Sequence, residues 1–263
     1  MSEVTSETAY ALFKRLLFRP AIVSLWRPWV EGEENIPATG PAILAANHIS
    51  AGDTLMLPAM IRRRLIFPAK AALFHGRGLR GRVVAWFLKA VGMHPMDRSG
   101  GRASAEALVE VADVLREGNL LGIFPEGTRS PDGRLYKGKT GVARLAIAAG
   151  APVIPVAMVN SQLHYVPRWS PIRIPLMRRP GIRIGRPLEF AEYAGRGDER
   201  AVLRWVTDRV MAGIDELSGQ DYVDVYGASV KGGHFTPAEL AAKALPFPGY
   251  GQEKPPVAVE PGK

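Results

Sequence analysis

From Pro41 to Leu217 the chain alternates between short apolar runs and longer stretches whose apolar residues recur three and four apart. No other feature constrains its fold as strongly. Ala42–Ala46, Leu65–Pro68, Met93–Met96, Leu120–Phe124, Val153–Val159 and Gly181–Ile184 are the short runs, and each reads as a strand. Thr54–Arg62, a segment around Gly81–Ala90, Ser104–Arg116, Gly141–Ala149 and Glu199–Leu217 read as helices. In Ser104–Arg116 the apolar Ala107, Leu108, Val111, Val114 and Leu115 share one face. Strands alternating with helices predict an α/β fold, a layered and largely parallel sheet flanked by helices and joined by right-handed crossovers.

The chain has 263 residues and 47% hydrophobic content, enough for one domain with a sizeable core. Residues 36–218 are expected to form that domain, preceded by a helical segment over 1–35 and followed by a Gly/Pro-rich tail over 219–263, partly extended and mobile. No run of about eighteen apolar residues occurs, so no ordinary transmembrane helix is expected. The best candidate, Tyr10–Val30, is broken by Lys14, Arg15, Arg19 and Arg27 and by Pro20 and Pro28. Acidic Glu3 and Glu7 ahead of it, and no small-residue cleavage site after it, argue against a secretory signal. Leu12, Phe13, Leu16 and Leu17 with those basic residues suit an amphipathic segment lying in a membrane interface; an ordinary helix packed on the domain fits equally well.

The net charge is +9, and its distribution says more than its sum. Met60–Arg102 carries ten Lys/Arg against one acid, Asp97, and Ser161–Pro187 carries six arginines and no acid. Such stretches face an anion: nucleic acid, phospholipid headgroups or a phosphorylated metabolite. The chain has no cysteine, which excludes disulfides, thiolate nucleophiles and cysteine-ligated zinc.

Asn47-His48-Ile49-Ser50-Ala51-Gly52-Asp53 lies where a strand gives way to a helix, the place where α/β sheets gather their sites. Five residues apart, His48 and Asp53 can close a hydrogen-bonded pair across that turn. The imidazole would then remove a hydroxyl proton while the carboxylate fixes its tautomer. Taken alone, the same residues also fit a capped helix start with an incidental histidine. Three further blocks follow in order. Gly92-Met93-His94-Pro95-Met96-Asp97-Arg98 ends a strand in an arginine. Phe124-Pro125-Glu126-Gly127-Thr128-Arg129-Ser130 follows a strand, with a glycine for close approach and a guanidinium fork suited to phosphate. Val153-Ile154-Pro155-Val156-Ala157 is the fourth.

In these four blocks and their order, Pro41–Val159 resembles the 1-acylglycerol-3-phosphate acyltransferase (PlsC-like) family of glycerolipid acyltransferases. The resemblance implies that His48 is the general base and Asp53 its partner. It places Lys70, Arg98, Glu126, Gly127, Thr128, Arg129 and Lys139 at the glycerol phosphate, and matches Lys139 and Gly141 to the Lys-x-Gly after the third block. Met93-His94 departs from the small or polar residue and Ile often found there. The implied activity is transfer of a fatty acyl group from acyl-CoA or an acyl carrier protein to a hydroxyl of 1-acylglycerol 3-phosphate, giving phosphatidic acid. Glycerol 3-phosphate or another lysophospholipid is the alternative acceptor. The implied setting is the cytoplasmic side of the cell membrane, with the protein peripheral or monotopic and no cofactor beyond the acyl donor.

Gly133-Arg134-Leu135-Tyr136-Lys137-Gly138-Lys139-Thr140 also matches the P-loop pattern of nucleoside triphosphatases. Its context is wrong: Pro125–Asp132 intervenes between the strand and Gly133, and no apolar strand ends in a magnesium-holding Asp. No Gly-x-Ser-x-Gly elbow occurs, and the five histidines (His48, His75, His94, His164, His234) form no close pair, so neither an ordinary hydrolase nor a metal site is expected. Nucleic-acid binding would explain the charge but not the His–Asp pair, and no nucleic-acid partner is expected.

Overall fold

The computed structural model describes residues 12, 14–70, 74–76, 78, 81–82, 85–86, 88, 93–96, 101–162, 164–166, 174–176 and 179–257. Leading from the N-terminus, a wide turn over Lys14–Phe18 enters α1 (Arg19–Trp26), followed by strand β1 (Trp29–Glu31). Then come β2 (Ala42–Ala46), α2 (Asp53–Met60), β3 (Leu65–Lys70), β4 (Met93–Met96), α3 (Gly101–Arg116), β5 (Leu120–Ile123) and β6 (Leu135–Tyr136). Helix α4 (Gly141–Ala149) precedes β7 (Val153–Val159), a small hairpin of β8 (His164–Val166) and β9 (Ile174–Leu176), and β10 (Gly181–Ile184). The long α5 (Arg200–Ser218) leads to β11 (Tyr222–Val223), α6 (Gly227–Lys231), α7 (Pro237–Ala241) and β12 (Ala244–Leu245).

Seven strands form the main sheet in the order β1-β10-β7-β2-β5-β3-β4. The run from β7 to β4 is parallel; β10 enters antiparallel to β7, and β1 lies parallel to β10 at the edge. The sheet is therefore largely parallel, as the alternation predicts, with two reversed strands, β10 and β1, at one edge. Central strands are buried on both faces, which is why they read as unbroken apolar runs. Ile43 and Ala45 of β2 join Leu121 and Val153 in one core with α3, α4 and α5; Ala42, Leu44 and Ala46 point the other way and pack with α1 and α2.

Helix α2 stops at Met60, two residues short of the expected Arg62, because Ile61 turns extended. Its end is held from the N-terminal segment: the Lys14 ammonium donates to the carbonyls of Ile61 and Arg63, and burial pushes this amine down to about 8. Arg63 in turn donates to the carbonyls of Pro37, Gly40 and Gly118 at 2.7, 2.8 and 3.0 Å, tying three turns together. Around α1, Phe18, Ile22 and Trp26 recur every four residues and face the core, whereas Leu12, Leu16 and Leu17 stand exposed. The segment thus packs on the domain and still presents leucines outward.

The described part of the 219–263 stretch carries the short elements β11, α6, α7 and β12. β11 pairs parallel with β6 and antiparallel with β12, and Tyr222, Val223, Val225 and Leu240 are buried. A capping box at Thr236 and Glu239 starts α7. Its few apolar residues suffice because β6 offers them a ready edge. The helix expected around Gly81–Ala90 lies largely outside the described residues, as does Arg98.

Candidate active site

At Ala46 β2 ends, and the next residue extends its ladder by a side chain. Buried Asn47 receives the Met158 amide at 2.6 Å and donates to the Met158 carbonyl at 3.2 Å, fixing the turn against β7. From there the chain curls into α2, whose first residue is the fully buried Asp53. Its Oδ2 accepts from the backbone amides of Ile49 (2.7 Å) and Ser50 (2.8 Å), and its Oδ1 from the Ser50 hydroxyl (3.4 Å). The N-terminal end of α2 adds a favourable dipole for this carboxylate. The same Oδ2 lies 3.0 Å from His48 Nδ1. A proton on Nδ1 is held there by the carboxylate, so Nε2 is the nitrogen left to accept one. The His48 side chain is 14% exposed, so the pair is not sealed from solvent.

The loop after β5 clamps His48 from the other side. Its amide donates to Glu126 Oε1 at 3.0 Å, and its carbonyl accepts the Ser130 amide at 2.6 Å. The Phe124 ring stacks on the imidazole, centroids 4.0 Å apart and 15° from parallel, and Phe67 stacks behind Phe124 at 5.4 Å. Gly122 makes room for this column: a Cβ there would sit 2.5 Å from the Phe67 ring. The histidine and the Phe-Pro-Glu-Gly-Thr-Arg block, some eighty residues apart, are one unit.

Glu126 is buried within that unit. Oε1 takes the His48 amide, and Oε2 takes the Tyr136 amide at 3.1 Å. Burial pushes its carboxyl up to about 8, against the pull of those two amides. Glu126 therefore positions the backbone beneath the imidazole. Gly127 has φ +69°, and a Cβ there would lie 2.9 Å from Lys139 Cε and 3.2 Å from its Nζ. Only glycine lets the Lys139 side chain lie across the loop, while the Lys139 amide donates to the Pro125 carbonyl at 2.8 Å. Thr128 is half-buried, and Arg129 is exposed.

Of the residues singled out in the sequence, His48, Asp53, Glu126, Gly127, Thr128, Arg129 and Lys139 come together. Lys70 ends β3, its side chain outside the description. Sequence reasoning missed Phe124 as the stacking partner and Gln220, which bridges the Asn47 side chain and the Gly133 carbonyl. The P-loop-like run does not wrap an anion: its centre is β6, and Lys137 is paired with Asp224 at 2.9 Å.

Residues 27–159 match the Acyltransferase family. The chain is 32% identical over 148 residues to the 1-acyl-sn-glycerol-3-phosphate acyltransferase of Borreliella burgdorferi, covering 55% of this chain and 57% of that one. The Pseudomonas aeruginosa enzyme of the same name is also 32% identical, over 54% of this chain and 52% of its own. The chain thus spans about half the length of the curated relatives it matches. The crystal structure of the 1-acyl-sn-glycerophosphate (LPA) acyltransferase PlsC from Thermotoga maritima superposes with a TM-score of 0.56 and 26% identity, over 80% of this chain and 78% of that one. The family match spans half of the chain, including the His48–Asp53 pair and the loop that bears Arg129, and this chain belongs to the Acyltransferase family.

Proposed function

We propose that this protein moves a fatty acyl group from acyl-CoA or an acyl carrier protein to the free hydroxyl of 1-acylglycerol 3-phosphate, producing phosphatidic acid. The observation that carries the reading is the His48–Asp53 pair bound through its backbone to the loop that bears Arg129. A base and an anion-binding group on one rigid unit suit an acceptor with a hydroxyl and a phosphate on the same glycerol.

His48 Nε2 takes the proton as the acceptor oxygen attacks the thioester carbonyl. The tetrahedral intermediate collapses, the carbon–sulfur bond breaks, and the imidazolium returns its proton to the departing thiolate. An ester and a free thiol result, with no covalent acyl-enzyme. A positioned base of this kind contributes roughly 10²- to 10⁴-fold. Arg129 and Lys139, with Lys70 and Arg98 from the family resemblance, hold the phosphate so that the hydroxyl meets His48, an orientation effect of several kcal/mol.

The protein works bound peripherally at the cytoplasmic face of a membrane. Exposed Leu12, Leu16 and Leu17 beside Arg15 and Arg19 support this, and no helix among the described residues is long and apolar enough to cross a bilayer. The test is incubation with labelled acyl-CoA and a panel of acceptors: 1-acylglycerol 3-phosphate, glycerol 3-phosphate and unphosphorylated or headgroup-bearing lysolipids. Labelled phosphatidic acid as the main product is expected; a main product from glycerol 3-phosphate or another lysophospholipid would reassign the acceptor, and no labelled lipid at all would remove the activity.

A further inference from the structure

Arg129 of the third block is not the last positive charge at this loop. Helix α6 is seated directly on it: a Cβ on Gly227 would lie 3.3 Å from Thr128 Cγ2 and 3.5 Å from the Tyr136 ring. β11 pairs with β6 just before the helix, and the Lys137 amide donates to the Val225 carbonyl at 3.0 Å, so the seat is fixed by backbone on both sides. Lys231 ends the helix and donates from Nζ to Thr128 Oγ1 at 2.8 Å.

We infer that Lys231, brought by the C-terminal segment, is a phosphate-binding residue of the acceptor site and acts together with Arg129. The charges around it support this. Two nearby cations are neutralised, Arg134 by Asp132 at 2.6 Å and Lys137 by Asp224 at 2.9 Å, whereas among the described residues Arg129, Lys139 and Lys231 are in no ion pair. Burial, and then the Arg129 guanidinium, hold the Lys231 amine below the usual lysine range; Glu126 opposes this, but its own carboxyl is pushed up to about 8 and offers little negative charge at neutral pH. Two like charges kept beside each other favour an anion between them, and a dianionic phosphate monoester is the anion the proposed acceptor supplies. Residue 231 lies outside the 27–159 segment that the family match covers.

The inference rests on the proposed acyl transfer, and its test separates the two. The full chain is compared with Lys231→Ala, Lys231→Arg and, as a control, Lys243→Ala, whose side chain is exposed on the same segment. The readout is the ratio of kcat/KM for 1-acylglycerol 3-phosphate to that for unphosphorylated monoacylglycerol. Lys231→Ala should lower the ratio about tenfold through KM, the size expected for one exposed charge-assisted hydrogen bond, with Lys231→Arg recovering most of it and the control none of the loss. An unchanged ratio, or equal loss with both acceptors, overturns the inference. Should the unsubstituted protein transfer no acyl group to any acceptor, the proposed function falls, and calorimetric binding of glycerol 3-phosphate still decides about Lys231: tenfold weaker binding in Lys231→Ala supports its role, and equal binding removes it.

Discussion

The imidazole of His48 is fixed by a carboxylate, a stacked ring and two backbone hydrogen bonds, whereas the cations beside it, Arg129, Lys139 and Lys231, stand exposed on a loop and a short helix. The difference fits what each would do in the proposed reaction. A base has to meet one proton at one distance, and a small displacement costs a large part of its rate. An anion is attracted over a longer range, and long side chains adapt to it, so the basic rim tolerates exposure. The corner should therefore fail abruptly when altered, and the rim gradually.

The largest effect is expected at Asp53. Asp53→Asn preserves the shape but presents either an amide NH₂ to His48 Nδ1 or a weaker acceptor, and the imidazole loses its tautomer; turnover should fall about 10³- to 10⁴-fold in a steady-state assay, with substrate KM little changed. A loss below tenfold would mean that the carboxylate serves only the turn.

Glu126 sharpens the comparison through pH. Its folded pKa, about 8, lies above the ordinary carboxylate value, so between roughly pH 4.5 and 8 the folded protein binds more protons than the unfolded chain. The stability Glu126 contributes is complete below that window and is lost as pH rises through it. Denaturant unfolding at pH 5.5 and 8.5 should show a decline on the order of 2–3 kcal/mol that Glu126→Gln lacks. Gln should itself be less stable at the lower pH by about 1–3 kcal/mol, since its NH₂ would face a backbone N–H. Parallel pH profiles for the two proteins would place Glu126 in a more solvated position.

On the rim, Arg129→Ala should reduce kcat/KM for the phosphorylated acceptor about 30- to 100-fold and leave the melting temperature unchanged. Equal loss with an unphosphorylated acceptor would break its assignment to the phosphate. The smallest effect belongs to the N-terminal segment, where Leu16 and Leu17 are 69% and 62% exposed. Leu16→Glu with Leu17→Glu should weaken sedimentation with anionic phospholipid vesicles about tenfold without loss of the fold. Undiminished vesicle binding would assign these leucines to another surface.

The same contrast decided what was legible in the sequence. His48 and Asp53 are five residues apart in one turn, so spacing alone brings them together. Helix α4 and strands β2, β7 and β10 fall where periodicity puts them, because their pattern is long or bounded by glycine and proline. Glu126 was legible as part of a motif, but its inward direction was not: it is set by two amides, on His48 and Tyr136, one of them 78 residues away. Lys231 left no sequence signal. It lies 103 residues from Thr128, in a glycine-rich stretch whose strands are two residues long, too short for any periodicity to mark them. Exposed, long-range contacts of this kind are chosen by tertiary packing.

The central claim is that His48, held by Asp53, is the base of an acyl transfer. The most direct measurement follows labelled acyl-CoA and 1-acylglycerol 3-phosphate on phospholipid vesicles, comparing the unsubstituted protein with a His48→Ala variant of unchanged melting temperature. Labelled phosphatidic acid from the first, and at least about 10³-fold less from the second, is the result expected. Equal product from both would contradict the account.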